Sequence, residues 1–179
     1  GWAGFVDLPV FAKSDEGLAS AAVEEHLFAI TRRWMDPDGD GDPSDGIDGW
    51  RLDVPMEIPA PFWERWRAHV KSINPDAYIS GEIWHRADEW LGGRHFDAVM
   101  NYRFADPLVA WVGNVERKLT PTQLDEKLCE LRLAYPDEAS YAAMNLVGSH
   151  DTDRIASMLL NRDRPYDRSN QVQRRDDYD

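Results

Sequence analysis

The spacing of apolar residues changes character several times along the chain. Ala22, Val23, His26, Leu27, Ile30 and Trp34 recur at steps of three and four, which predicts an amphipathic helix capped by Asp15 or Ser20. His26 lies on or near the apolar face and reads as a core histidine. Over Gly46 to Ile58, GIDGWRLDVPMEI, the pattern shortens: Ile47, Trp50, Leu52 and Val54, punctuated by Gly46 and Pro55, predict a short buried strand. Pro59 and Pro61 open a helix through Phe62, Trp63, Trp66, Val70 and Ile73 that stops at Asn74-Pro75. Ala77 to Trp84, AYISGEIW, and Phe96 to Phe104, FDAVMNYRF, read as second and third strands. Helical spacing returns around Leu108 to Val112, and again from the capping residue Thr120 through Leu124, Leu128, Leu131 and Leu133. Tyr141 to Asp151, YAAMNLVGSHD, reads as a fourth strand. Residues 1–12 read as a packed loop, and the polar, aperiodic stretch 161–179 as an exposed loop or tail.

Strands alternating with helices of this length predict βαβ units and a parallel sheet. At 179 residues the chain is long enough for one sizeable core but short of the roughly 250 that a complete (β/α)8 barrel takes. A net charge of −13 argues against nucleic acid or an anionic membrane as partner, because a phosphate surface demands a basic face. No apolar run approaches the length of a membrane span and no leader is visible, so the compartment stays open. Cys129 is the only cysteine, which excludes an intrachain disulfide and a cysteine-based zinc site. Its helical surroundings read it as a small core residue.

Candidate chemistry begins inside the first strand. Arg51 and Asp53 stand two apart and therefore share a face, and a guanidinium beside a carboxylate favours the charged acid. That describes a base or nucleophile at a strand end, or an ordinary Arg–Asp ion pair. Just upstream, DPDGDGDPSDGID carries six aspartates, Asp36, Asp38, Asp40, Asp42, Asp45 and Asp48. Asp36, Asp38, Asp40 and Gly41 match the opening D-x-D-x-D-G of a calcium loop. The position of the closing bidentate Glu is Ile47, so Asp42, Asp45 or Asp48 has to complete the shell; the alternative is a plain acidic turn. Clustered carboxylates repel one another without a counter-ion, which favours a structural Ca2+. Asp53, Glu82 and Asp151 each close a predicted parallel strand, and in a barrel that end is where active sites are built. Paired carboxylates, one charged and one protonated, are what glycosidic cleavage needs. Trp50, Trp84, Trp90 and Tyr102 offer aromatic faces for sugar rings, or core packing.

GWRLD, GEIWH and NLVGSHD, in this order and spacing, resemble the second, third and fourth conserved regions of the α-amylase family of glycoside hydrolases. Glu57, four residues after Asp53, together with GEIWH is similar to the cyclomaltodextrinase and neopullulanase branch. LPVFA, Leu8 to Ala12, falls where that branch carries a further motif, from which Phe11 and Ala12 depart. The resemblance implies an α/β chain forming about strands four to seven of a (β/α)8 TIM barrel over residues 1–160, with 1–15 the end of an inserted loop domain. It implies Asp53 as nucleophile, Glu82 as general acid/base and Asp151 as stabiliser of the transition state. Arg51, His150, Trp84, His85 and Glu57 are the implied substrate-binding residues, and an α-glucan or maltooligosaccharide the implied substrate. A transglycosylase or isomerase on the same site, or a catalytically inactive fragment or binding relative, are the alternatives. Open sheet edges would favour self-association.

Overall fold

The computed structural model describes residues 1–113 and 118–162, and the chain divides into two units: 1–83 with 87–99, and 84–86 with the described residues from 100 onward.

In the first unit a hairpin pairs β1 (Lys13–Ser14) antiparallel with β2 (Gly17–Leu18). Helix α1 (Ala21–Met35) follows, and the Ser20 hydroxyl accepts the Val23 N–H at its start. Strand β3 (Gly49–Leu52), helix α2 (Ala60–Ile73), β4 (Tyr78–Gly81) and β5 (Ala98–Asn101) complete the unit. β3 pairs parallel with β4, in the register Gly49↔Tyr78 to Leu52↔Gly81, and β4 pairs parallel with the start of β5 through Ser80↔Ala98 and Gly81↔Val99. Gly49 has to be glycine because a Cβ there would collide with the Tyr78 carbonyl across the strand pair. Among the described residues no strand pairs with the other edge of β3.

The core of this unit is aromatic. α2 buries Phe62, Trp63, Trp66 and Val70, a stripe at helical spacing, with Trp63 edge-on to Phe96, and Ile79, Ile83 and Phe96 are buried as well. Each such side chain contributes about 1.5–3 kcal/mol by leaving water. The Trp66 indole donates to Thr31 Oγ1 at 2.9 Å, and Thr31 in turn donates to the Leu27 carbonyl, so the polar atoms between α1 and α2 are satisfied.

Asp97 ties α2 to the sheet: its carboxylate accepts from Arg67 at 2.7 Å, from Lys71 at 3.1 Å and from the Ile79 N–H at 3.0 Å. Burial pushes this carboxyl up, but the three donors and the Arg67 charge outweigh it and hold its pKa below the ordinary value. His69 stacks on Phe28 with ring centroids 4.8 Å apart. Burial lowers its pKa, against the Phe28 carbonyl that it faces at 3.0 Å and with the help of the Arg32 charge. Both pKa values are depressed in the folded state, so the unfolded chain binds the proton more readily and stability falls on acidification. The His69 contribution is lost as the pH drops below about 6.5 and the Asp97 contribution below about 3.9. Urea unfolding as a function of pH should show both steps, with His69→Phe removing the first and Asp97→Asn shrinking the second.

In the second unit β5 runs directly into α3 (Tyr102–Val112), followed by α4 (Pro121–Arg132), α5 (Asp137–Ala142), β6 (Met144–Asn145) and α6 (Ile155–Leu160). α4 opens on a capping box in which Thr120 and Gln123 satisfy each other's backbone N–H. β6 pairs parallel with the end of β5, Met100↔Met144 and Asn101↔Asn145, and the Asn101 and Asn145 side chains are hydrogen-bonded at 2.8 Å.

Several expectations are corrected. The strand predicted over Gly46 to Ile58 is only β3, because Gly46 ends a 3-10 turn, Pro43–Asp45, and Val54 turns left-handed ahead of Pro55. The third strand stops at Asn101, so Tyr102, Arg103 and Phe104 are helical. The fourth shrinks to two exposed residues: Tyr141 and Ala142 belong to α5, whose first turn carries Asp137 and Glu138, favourable at a helix start. The opening stretch is not packed. Phe5, Val6 and Phe11 are exposed, and so is His26, on a helix that buries only Thr31 and Met35. Cys129 is half-buried on α4. Residues 163–179, most of the predicted tail, lie outside the described residues.

Candidate active site

Two parallel strands end side by side in the first unit, and the residue after each is a carboxylate. Leu52 closes β3 and Gly81 closes β4 in register, which puts Asp53 and Glu82 next to one another, with the Glu82 N–H donating to the Leu52 carbonyl at 2.9 Å. Arg51 joins them: one guanidinium nitrogen bonds Asp53 Oδ1, and the other lies 3.1 Å from Glu82 Oε2. The environments differ sharply. The Asp53 side chain is 76% exposed, whereas that of Glu82 is 6% exposed. A buried carboxylate needs donors, and Glu82 Oε2 also accepts the Val54 N–H at 3.2 Å.

That backbone donor depends on an unusual conformation. Val54 has φ 43° and ψ 50°, the left-handed region, and is the one non-glycine residue with positive φ among those described. A β-branched residue there is strained, by about 1–3 kcal/mol, and a following proline further favours the extended region. A 3-10 turn, Pro55–Glu57, comes next, and Lys13 Nζ holds Glu57 Oε2 at 2.9 Å. Asp53, Val54 and Glu57 line the mouth of a cavity of about 740 Å3 whose walls include Trp50, Trp63 and Trp66. Trp50 is half-buried edge-on against Trp66, whereas Trp90 is buried against Phe96 and serves the core.

In the second unit Trp84 stacks on Tyr102, with centroids 3.8 Å apart and planes 5° from parallel; Trp84 is 37% exposed and Tyr102 buried. This is an aromatic face on a solid backing. His85 is exposed. His150 Nε2 lies 3.1 Å from Asp151 Oδ2, in a turn knit by Ser149, whose hydroxyl accepts the Asp151 N–H at 3.1 Å and meets the Tyr102 hydroxyl at 3.2 Å.

Of the six aspartates offered as metal ligands, Asp36, Asp38 and Asp40 come together, with a ligand oxygen of each within 4.8 Å of the others. Oxygens that close can reach a single ion at about 2.3–2.6 Å, the range of calcium ligands. Asp36 is buried, and its Oδ1 accepts the Gly41 N–H at 3.4 Å. Asp42 and Asp45 are not in that group: Asp42 caps the 3-10 turn that contains Asp45, its Oδ1 accepting the Ser44 N–H at 3.0 Å.

The motifs identified Arg51, Asp53 and Glu82. They did not identify Val54 or Lys13, whose parts here are a backbone N–H and a surface cation without any sequence signature.

A family model described as alpha amylase, catalytic domain, matches residues 8–174. The chain is 44% identical over 133 residues to neopullulanase 2 of Thermoactinomyces vulgaris, covering 74% of this chain and 21% of that protein. It is 45% identical over 140 residues to a cyclomaltodextrinase of Geobacillus thermopakistaniensis, covering 78% of this chain and 22% of that one. The chain thus spans about a fifth of the length of these curated relatives. Among solved structures it resembles a cyclic α-maltosyl-(1→6)-maltose hydrolase from Arthrobacter globiformis in complex with that cyclic sugar, at 32% identity and a TM-score of 0.66, over 79% of this chain and 31% of that one.

Proposed function

Because the chain belongs to the alpha-amylase catalytic-domain family and has the α/β, parallel-sheet fold of part of its barrel, we propose that it carries the reacting carboxylates of a retaining hydrolase of α-glucosidic bonds. The observation that carries this reading is the Asp53–Arg51–Glu82 bridge, two carboxylates with opposite exposure under one guanidinium. The span of one guanidinium suits the carboxyl spacing of about 5–5.5 Å of retaining enzymes, not the wider spacing that leaves room for a water.

The chemistry follows from those positions. An Asp53 oxygen forms a bond to the anomeric carbon while the glycosidic C–O bond breaks and Glu82 gives its proton to the departing oxygen. Water then attacks the same carbon, its proton returns to Glu82, and the Asp53 carboxylate is released. Two inversions leave net retention. The exposure of Asp53 suits attack on an incoming sugar, and Arg51 holds the geometry between the steps. The motif likeness assigns Asp151 and His150 to stabilising the oxocarbenium charge and binding sugar hydroxyls, and the backed face of Trp84 suits stacking on a sugar ring. Cyclic maltodextrins and pullulan are the substrates that the relatives' names point to, and maltooligosaccharides those that the motif likeness implies. Proton NMR of a maltooligosaccharide digest should show the α-anomer appearing first; the β-anomer as first product would overturn the double displacement.

Asp36, Asp38 and Asp40 would hold a structural Ca2+ between α1 and β3, anchoring the strand that leads to Asp53. At a hundred times its Kd, calcium would add about 2.7 kcal/mol of stability, a shift of several degrees in Tm. Unfolding in calcium against chelator should show that shift, and Asp38→Ala with Asp40→Ala should remove it.

A further inference from the structure

The strained Val54 needs something to hold it, and the contacts on the following residue are of that kind. The Trp63 indole Nε1–H donates to the Pro55 carbonyl at 2.8 Å, in a buried position. The indole is itself fixed, edge-on to Phe62, Trp66 and Phe96 at 4.9, 5.5 and 5.6 Å. Pro55 is buried over Gly81, where an added Cβ would come within 3.3 Å of Pro55 Cγ. The Val54 carbonyl accepts the Glu57 N–H at 3.1 Å, which closes the turn from its other side. A residue in a disfavoured conformation persists only where its surroundings over-determine it. Here the surroundings are one proline, seated on β4 and tethered to α2.

We propose that Trp63 is a positioning residue of the active site: by holding the Pro55 carbonyl, its indole N–H keeps Val54 in the left-handed turn from which the Val54 N–H reaches Glu82 and Asp53 leaves the strand. The inference rests on the reading that Asp53 and Glu82 react. Trp63 touches neither carboxylate through its N–H; it acts through the Val54–Pro55 backbone. Without the tether the turn relaxes toward the extended region, the Val54 N–H swings off Glu82 Oε2, and the nucleophile moves relative to the acid. A small misplacement of reacting groups lowers turnover far more than it lowers substrate binding.

The test uses the intact protein and two readouts. In the folded protein, amide exchange by NMR should show a protected Val54 N–H and a protected Trp63 indole N–H. Trp63→Phe, which keeps a ring but no donor, should speed Val54 exchange at least about tenfold while leaving Val70, within α2, unchanged. On maltooligosaccharides the same variant should lose about tenfold or more in kcat, with KM within twofold. Adding Val54→Gly to it should restore most of kcat, because glycine takes the left-handed turn without a tether. Fast exchange of the indole N–H in the folded wild type, or Val54 exchange unmoved by Trp63→Phe, overturns the inference whatever the activity. So does a kcat loss that Val54→Gly leaves in place. Wild-type activity indifferent to Glu82→Gln would instead overturn the reaction assigned to the site, while the exchange rates would still decide whether the tether exists.

Discussion

Glu82→Gln and Asp53→Asn should both all but abolish hydrolysis of maltooligosaccharides, and they should part company when the leaving group is changed. In the proposed mechanism Glu82 donates a proton to an alkoxide-like leaving group, a contribution of about 10²–10⁴-fold. In the proposed mechanism Asp53 forms the covalent bond itself, and removal of a nucleophile costs at least about 10⁴-fold. With an aryl glucoside whose phenol is already acidic, the bond breaks without a proton, so formation of the glycosyl-enzyme should recover in Glu82→Gln and stay lost in Asp53→Asn. Single-turnover release of the phenol reads that step directly. The two variants should also differ in stability. Asp53 is largely in solvent, and its replacement should move the unfolding free energy by no more than about 0.5 kcal/mol. Glu82 is buried under two donors, so its amide has to re-form that network. Equal losses on the natural and the activated substrate would show that Glu82 is not the acid.

Arg51→Met should be the most destabilising single change at the site. The guanidinium bonds both carboxylates, and its removal takes a charged donor away from the buried Glu82 carboxyl. Breaking a fully buried pair costs about 3–5 kcal/mol; Arg51 is about a third exposed and water reaches it, so about 2–3 kcal/mol is expected here. The double variant Arg51→Met with Glu82→Gln should recover part of that loss, because the carboxyl that lost its donor is gone. Urea unfolding of the two singles and the double gives the coupling. Additive effects would mean that the bridge holds geometry without holding charge.

Much of this site is legible in the chain because its parts are local. Arg51 and Asp53 sit in one strand, Glu82 follows another, and a strand's period of two with a turn residue behind it is enough to put them at a strand end. The caps of α1 and α4 are equally local: Ser20 and Thr120 each bond a backbone N–H three residues on. The lengths of the strands were not legible. Apolar runs such as AYISGEIW and YAAMNLVGSHD do not say where pairing stops; β4 ends at Gly81, level with the end of β3, and β6 keeps only the two residues that meet Met100 and Asn101.

What the sequence determined by itself is the family, the alternation of strand and helix, and the place of Asp53 and Glu82 just after two strands, all of which depend on contiguous residues. Only the tertiary structure decided how those carboxylates are held. Arg51 meets Glu82 only once β3 and β4 lie in register, and Asp97 finds Arg67 and Lys71 only once α2 lies across the sheet. Val54 takes a conformation that its own chemistry disfavours, because a buried proline and an indole eight residues further on leave it no other. Local sequence reports what a residue prefers; packing can impose what it does not, and here it does so beside the two groups whose spacing matters most.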